Sequence, residues 1–448
     1  MKKLLFTLIA VFSAFGASAQ IQSTYFLDHY TYSYRHNPAN MSESSFVGAV
    51  FSNVEAGAGS SLGLSSLFYP AQDGNGLVTC FNSSVSTDEF RSGIKDANTV
   101  LGNFDLNLFS LGLRKEKTMT TFELNFRNYM EGEMDGDILR FLKEGTHGKA
   151  YDFSSCTFGA KSYIELAIGR SRILGEKFSF GYRVKGLMGV AGVYANLQDS
   201  QAMIADSQAG VNVKGQAGIA GSLLQFGTDA DGTVNGVERG SGFGPAGFGA
   251  AVDAGVNWKP MEGLTLSASV SDLGVVSWKY SSLAEADHSV TYDGFDVSDA
   301  DVSGVKDELN ALKDDVKSLV DLRKSSGEES SADLLPFRFN VSARYQIPHV
   351  KSLSAGALVT YQNSVTPIVD ARAAVIYTPR DWFSLTGNLG ANSFGLVWGG
   401  ALSLNAPFLN FFLGFDAYAG PVNSELIPVN SFLCKLNLGV VFRFGKSE

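Results

Sequence analysis

From residue 103 to the C-terminus the chain repeats one pattern: runs of about ten residues in which apolar and polar side chains alternate. In Phe178-Ser179-Phe180-Gly181-Tyr182-Arg183-Val184-Lys185, aromatic and branched residues take every second place and charges stand between them. Period-two alternation puts the two sets on opposite faces of a strand. Strands of soluble sheets average about five or six residues, whereas a tilted strand that crosses a bilayer needs about nine to eleven. The alternation therefore predicts an all-β fold, an antiparallel β-barrel closed on itself and crossing an outer membrane.

Fourteen strands are predicted, over residues 45–57, 103–114, 118–130, 158–171, 177–190, 247–259, 263–279, 336–346, 352–362, 367–378, 382–391, 394–405, 408–419 and 431–444. In the best copies Phe122, Leu124 and Phe126 alternate with Glu123, Asn125 and Arg127, and Val252, Ala254, Val256 and Trp258 with Asp253, Gly255 and Asn257. Cost decides which face meets lipid. A Lys or Arg on the lipid side costs about 2–4 kcal/mol at the midplane, and several would consume a typical stability of about 5–15 kcal/mol. Arg127, Arg183, Lys185, Arg344 and Arg372 are therefore expected in the lumen or near a rim, and Glu123, Arg127, Arg183 and Lys185 are candidates for a charged lumen network.

Link lengths test the strand count independently. Tight links at 115–117, 172–176, 260–262, 347–351, 379–381 and 406–407 alternate with long ones at 58–102, 131–157, 191–246 and 280–335 and shorter ones at 363–366 and 420–430. That alternation fits periplasmic turns and long extracellular loops, and an even strand number leaves both termini periplasmic. Within 280–335, Val305, Leu309, Leu312, Val316 and Leu319 step by four and three, which predicts the chain's one convincing helix, over 303–323. The Ser/Glu stretch 325–332 reads as solvated loop.

Residues 1–19 read as a signal peptide, with Lys2 and Lys3, an apolar core over Leu4–Phe15 and Ala17-Ser18-Ala19 before the cut. An exported chain of this pattern belongs in the outer membrane of a Gram-negative bacterium, with outer-membrane lipid and lipopolysaccharide around it. The net charge of −10 argues against nucleic acid as a partner. Cys80, Cys156 and Cys434 form no disulfide framework, and the five His residues never fall at metal-ligand spacing, so neither metal nor cofactor is expected. Gly242-Phe243-Gly244-Pro245-Ala246-Gly247 matches a dinucleotide fingerprint in letters only; an alternating strand follows it where that site needs a helix. No nucleophile with a partner stands out, so the chain is not read as an enzyme.

Residues 20–44 precede the first strand and carry Tyr25, Tyr30, Tyr32 and Tyr34. A segment so placed can fold back inside a barrel as a plug. Its Asn37-Pro38-Ala39 resembles the hatch motif of the long-chain fatty-acid transporter family, whose barrels have fourteen strands. The runs Leu264–Trp278 and Leu335–Val341 resemble an uncharacterised outer-membrane family of Bacteroidota, related in fold to those transporters and to the shuttle barrel of type IX secretion. The last strand, ending Val441-Phe442-Arg443-Phe444, resembles the C-terminal signal read by the barrel-assembly machinery, with Phe442 and Phe444 facing the membrane.

These readings divide the chain into signal peptide 1–19, plug 20–44 and barrel 45–448. They imply a barrel that binds or passes a small hydrophobic or amphipathic ligand through a plugged lumen. The alternative is a non-transporting barrel that docks a secreted or surface protein through its long extracellular loops.

Overall fold

Fourteen antiparallel strands close on themselves into a transmembrane barrel in the computed structural model, which describes residues 21–63, 66–71, 76–80, 82–144, 150–205, 208–292, 321–418 and 431–446. The wall strands are β1 (Ser44–Gly48 and Val54–Ser60), β2 (Ala97–Lys115), β3 (Thr118–Asp135), β4 (Thr157–Leu174), β5 (Phe178–Leu197), β6 (Gly247–Met261) and β7 (Leu264–Tyr292). They continue as β8 (Arg338–Gln346), β9 (Leu353–Gln362), β10 (Ile368–Arg380), β11 (Phe383–Asn392), β12 (Gly395–Ala406), β13 (Leu409–Tyr418) and β14 (Phe432–Lys446). Each pairs with the next, and β1 closes the ring by pairing with both β2 and β14. No edge is left open, so every strand finds ladder partners on both sides inside the bilayer.

The outer face carries the exposed apolar residues, among them Leu166, Ile168, Phe180, Val184, Val256, Trp258, Val341, Phe442 and Phe444. The alternate residues, including Asn125, Glu165, Arg183, Asp253, Asn340 and Asn437, are buried. An apolar outside around a polar inside is the arrangement lipid requires. The glycines at 242–247 lead into β6, which begins at Gly247.

The wall departs from the alternation in four places. β1 was expected as one run over 45–57 but is interrupted at residues 49–53, where Phe51 takes a φ of 68° and stands 64% exposed. Asn107 holds this break: its amide donates to the Asn53 carbonyl (2.8 Å) and its side chain accepts from the Ser52 hydroxyl (2.6 Å). Residues 191–246, expected as a loop, contain Gln208–Ala220, a strand that pairs with β5 and β7 and continues the line of β6 outward. Its small residues (Gln-Ala-Gly-Val-Asn-Val-Lys-Gly) give weak amphipathic contrast, which is why the pattern missed it.

β7 runs 29 residues, well into the expected loop at 280–335. Glu329–Leu334, which overlaps the stretch 325–332 expected as solvated loop and lies within the expected link 280–335, pairs with it as a strand, because antiparallel bonding needs only backbone. Two helices were also unforeseen, α1 (Thr87–Ser92), capped by Ser86, and α2 (Gly136–Glu144). They pack round a small core of Leu62, Phe90 and Leu139 above the barrel. The helix expected over 303–323 falls outside the described residues as far as 320, and Arg323 opens a short strand instead.

Candidate functional site

Residues 21–43 run through the lumen ahead of β1. They hydrogen-bond twelve of the wall strands, and lie against β5 and β9 at Gly181 and Gly356. The segment enters with the Ile21 amide donating to Glu55 (3.1 Å) and the Gln22 amide to Asp416 (2.7 Å). Asp416 is itself held by Arg372 (2.5 Å), which grips Asp370 as well. Further along, Thr31 donates to Asn410 (2.8 Å), and the Tyr32 hydroxyl shares hydrogen bonds with Ser52 (2.8 Å) and Ser110 (2.7 Å).

A short 3-10 turn at Ser33–Arg35 then delivers Asn37-Pro38-Ala39 to the wall. Asn37 accepts the Ala39 amide (2.9 Å) and donates to Asn257 (2.8 Å), and Ser171 donates to the Pro38 carbonyl (2.6 Å). Two glycines make this approach possible. A Cβ at Gly181 would stand 1.9 Å from the Pro38 oxygen, and one at Gly255 would stand 2.0 Å from the Asn37 side-chain oxygen. Both distances are inside van der Waals contact, so any larger residue would push the turn off the wall.

Glu123, Arg127, Arg183 and Lys185 meet in one cluster on this side of the lumen. Glu123 accepts from Tyr34 (2.9 Å), Arg35 Nε (2.8 Å) and Arg183. Arg183 also binds Asp253 (2.9 Å), and Lys185 binds Asp253 (2.8 Å) and Asp272 (2.6 Å). Arg127 spans Glu165 (2.9 Å), Asp272 (2.7 Å) and Asp105 (3.3 Å). Five carboxylates thus face four cations, one of them Arg35 of the segment itself.

Asp105, Glu165 and Asp253 occupy lumen-facing places in alternating strands, so the facing rule could have found them. Asp272 could not have been found that way. It sits at a bulge of β7 with φ 61°, off the period of its strand.

At the end of the barrel that carries the tight turns the segment is fastened again. Arg344 holds Asp28 with two hydrogen bonds (2.5 and 2.7 Å) and Thr378 adds a third (2.8 Å). Burial works against the Asp28 carboxylate, but Arg344 outweighs it and keeps the group below its usual range. His29 meets Glu43 at 2.5 Å, and Glu43 also accepts from Asn405 and Arg443. Burial opposes the His29 imidazolium, yet the bond to Glu43 raises it. His36 is the opposite case: burial, then Arg338 and Arg35, push its ring down to about 3, so it stays neutral and pairs with the Thr24 hydroxyl (2.8 Å).

Below the turn lies a cavity of about 390 Å³ at the tight-turn end of the barrel. Ala39, Met41, Phe26, Ile173 and Phe178 supply apolar wall, while Arg114, Lys177, Lys259, Arg344 and Arg443 bring positive charge and Asp28, Glu43 and Glu176 negative charge. Its volume lies within the range of about 300–1,000 Å³ usual for small-molecule pockets. Among the described residues no group of three or more side chains is arranged to hold a metal ion.

The model of a family described as a family of unknown function (DUF5723) matches residues 38–416. A search of curated proteins finds no match. Among solved structures, the toluene transporter TodX of Pseudomonas putida is similar at 9% identity, covering 96% of this chain and 95% of that one with a TM-score of 0.48. The toluene transporter TbuX of Ralstonia pickettii gives 8%, 91%, 92% and 0.44, and a FadL homologue of Pseudomonas aeruginosa 12%, 91%, 93% and 0.42, in the same order.

Proposed function

We propose that this chain, which belongs to the family of unknown function DUF5723, is an outer-membrane barrel that binds or passes a small amphipathic ligand past an N-terminal plug, residues 21–43. The observation that carries the reading is the cavity of about 390 Å³ directly beneath Ala39 and Asn40, lined by apolar side chains together with charged ones. A ligand with an apolar body and a polar or anionic head suits that lining better than a wholly apolar one. The plug touches strands all round the lumen, so passage requires it to shift or the wall to part; a filled lumen conducts nothing.

The test is purification of the native barrel from its membrane, with co-purifying small molecules identified by mass spectrometry. The reading expects an amphiphile at near one per barrel, depleted in an Ala39→Phe variant that still shows heat-modifiable migration. A natively purified, folded barrel that carries no such molecule would sink it.

A further inference from the structure

Over most of the circumference the lipid-facing side stays apolar down to the tight turns. Val256 and Trp258 on β6, Val341 and Tyr345 on β8, Val375 and Tyr377 on β10, and Phe442 and Phe444 on β14 are all exposed there. β4 breaks this rule. Its Ser171 reaches inward to the Pro38 carbonyl and its Ile173 lines the lumen cavity. By alternation Arg170 and Arg172 point outward, and both are exposed.

These are not the last residues of the strand. Leu174, nearer the turn, and Ile168 and Leu166, nearer the midplane, are exposed on the same face, so apolar side chains bracket the two arginines. The neighbouring strands extend the interruption. Thr118 of β3 lies opposite Arg172 and Thr120 opposite Arg170, while Lys115 of β2 lies opposite Thr118. On the other side Phe180 and Tyr182 of β5 are paired with Arg172 and Arg170. Among the described residues no carboxylate or other side chain partners the head groups of Arg170, Arg172 or Lys115.

A guanidinium cannot shed its charge, and on a lipid-facing surface it must find water or an anion. The anions at this depth are headgroup phosphates. Two outward residues on one strand stand about 7 Å apart, a span that one phosphate bridges by accepting from both guanidinium forks. Lys115 lies two strand spacings away, about 10 Å, within reach of the same headgroup. Leu174, Phe180 and Tyr182 give its acyl chains an apolar bed.

We propose that Arg170 and Arg172, with Lys115 and Thr118, form a headgroup site for one anionic phospholipid of the periplasmic leaflet. The site is on the outside of the wall and stands whether or not the lumen carries a ligand.

The test is native mass spectrometry of the intact detergent-solubilised barrel titrated with phosphatidylglycerol or phosphatidylcholine. The first phosphatidylglycerol is expected to bind more tightly than phosphatidylcholine, on the order of tenfold for two interfacial arginines. The Arg170→Gln/Arg172→Gln variant is expected to lose that preference, and a Lys351→Gln/Arg380→Gln variant, altered elsewhere on the same rim, to keep it. Heat-modifiable migration checks that both variants fold. Equal binding of the two lipids by the natural chain, an unchanged preference in the Arg170/Arg172 variant, equal loss in the rim control, or displacement of the bound lipid by millimolar inorganic phosphate would each overturn the proposal.

Discussion

On one side of the lumen, strands β2 to β7 carry eight charged wall side chains, each within salt-bridge distance of another or of Arg35, and the cluster reaches the N-terminal segment through Glu123, which bonds Tyr34 and Arg35. On the other, β8 to β14 meet it largely with amides and hydroxyls: Asn340, Ser342, Asn388, Ser403, Asn410 and Asn437, with Arg372–Asp416, Arg344–Asp28 and Arg443–Glu43 as charged exceptions. The difference is one of consequence when a contact breaks. A neutral hydrogen bond contributes about 1 kcal/mol net, whereas stripping one partner from a buried ion pair costs about 3–5 kcal/mol because the other charge is left uncompensated. The segment is therefore pinned by charge at Tyr34–Ala39 and again at Asp28, and is held by neutral bonds at Tyr25, Tyr30 and Thr31. If it moves, it should swing on the charged side and release on the neutral one.

Glu123→Ala is the most damaging way to break this asymmetry. It takes from Arg35 its carboxylate partner, leaving the Asn125 amide, and leaves Arg183 with Asp253 and the more distant Glu165. The expected loss is about 3–5 kcal/mol, measured by equilibrium urea unfolding in lipid vesicles, together with faster protease cleavage inside residues 21–43. If Glu123→Ala costs no more than a single amide deletion across the lumen, the two sides are equivalent and the comparison fails.

His36 joins the two sides, since its carbonyl accepts from Ser269 of β7 and Asn340 of β8 while its ring stays neutral against Thr24. Its folded value lies near 3 against 6.5 for the free side chain. Its contribution is therefore complete above 6.5 and is lost as pH falls toward 3. Between pH 7 and 5 that loss comes to about 2 kcal/mol. The His29–Glu43 pair acts with opposite sign: its raised imidazole contributes below 6.5 and loses that contribution as pH rises. The useful quantity is thus the difference from His36→Gln, which keeps a polar partner for Thr24 and does not titrate. Natural chain and variant should diverge below pH 6.5; parallel curves would remove His36 from the account.

Much of the wall could be read from the sequence because lipid imposes a strict rule on it. Val252 to Trp258 and Phe178 to Lys185 must alternate, since one face meets hydrocarbon and the other water or charge. Where the rule relaxes, legibility ends. Gln208–Ala220 and Glu329–Leu334 extend the sheet beyond the apolar belt, where small and charged residues suffice for backbone pairing and no lipid imposes alternation on them. Arg35 was invisible as a member of the charged cluster because it reaches the cluster from outside the barrel strands. Gly181 and Gly255 read as sheet glycines, and their task, admitting Pro38 and Asn37, exists only once the segment is folded against them.

Asn410→Ala is the smallest perturbation and the one that sharpens the comparison most. Asn410 accepts from Thr31 and donates to Ser403 (2.8 Å each), and no charge depends on it. Its loss should cost about 1–3 kcal/mol, since Thr31 and Ser403 are buried and each loses a neutral partner. It should nevertheless speed cleavage at residues 22–31 more than at 34–39. Asn410 and Glu123 share no hydrogen-bond partner, so if the two sides hold the segment independently, Glu123→Ala/Asn410→Ala should equal the sum of the single variants within about 0.5 kcal/mol. A larger coupling would mean that the segment transmits strain across the lumen and shifts as one body. In that case release on the neutral side could not occur without disturbing Glu123, and the swing inferred above would be replaced by withdrawal of the whole segment.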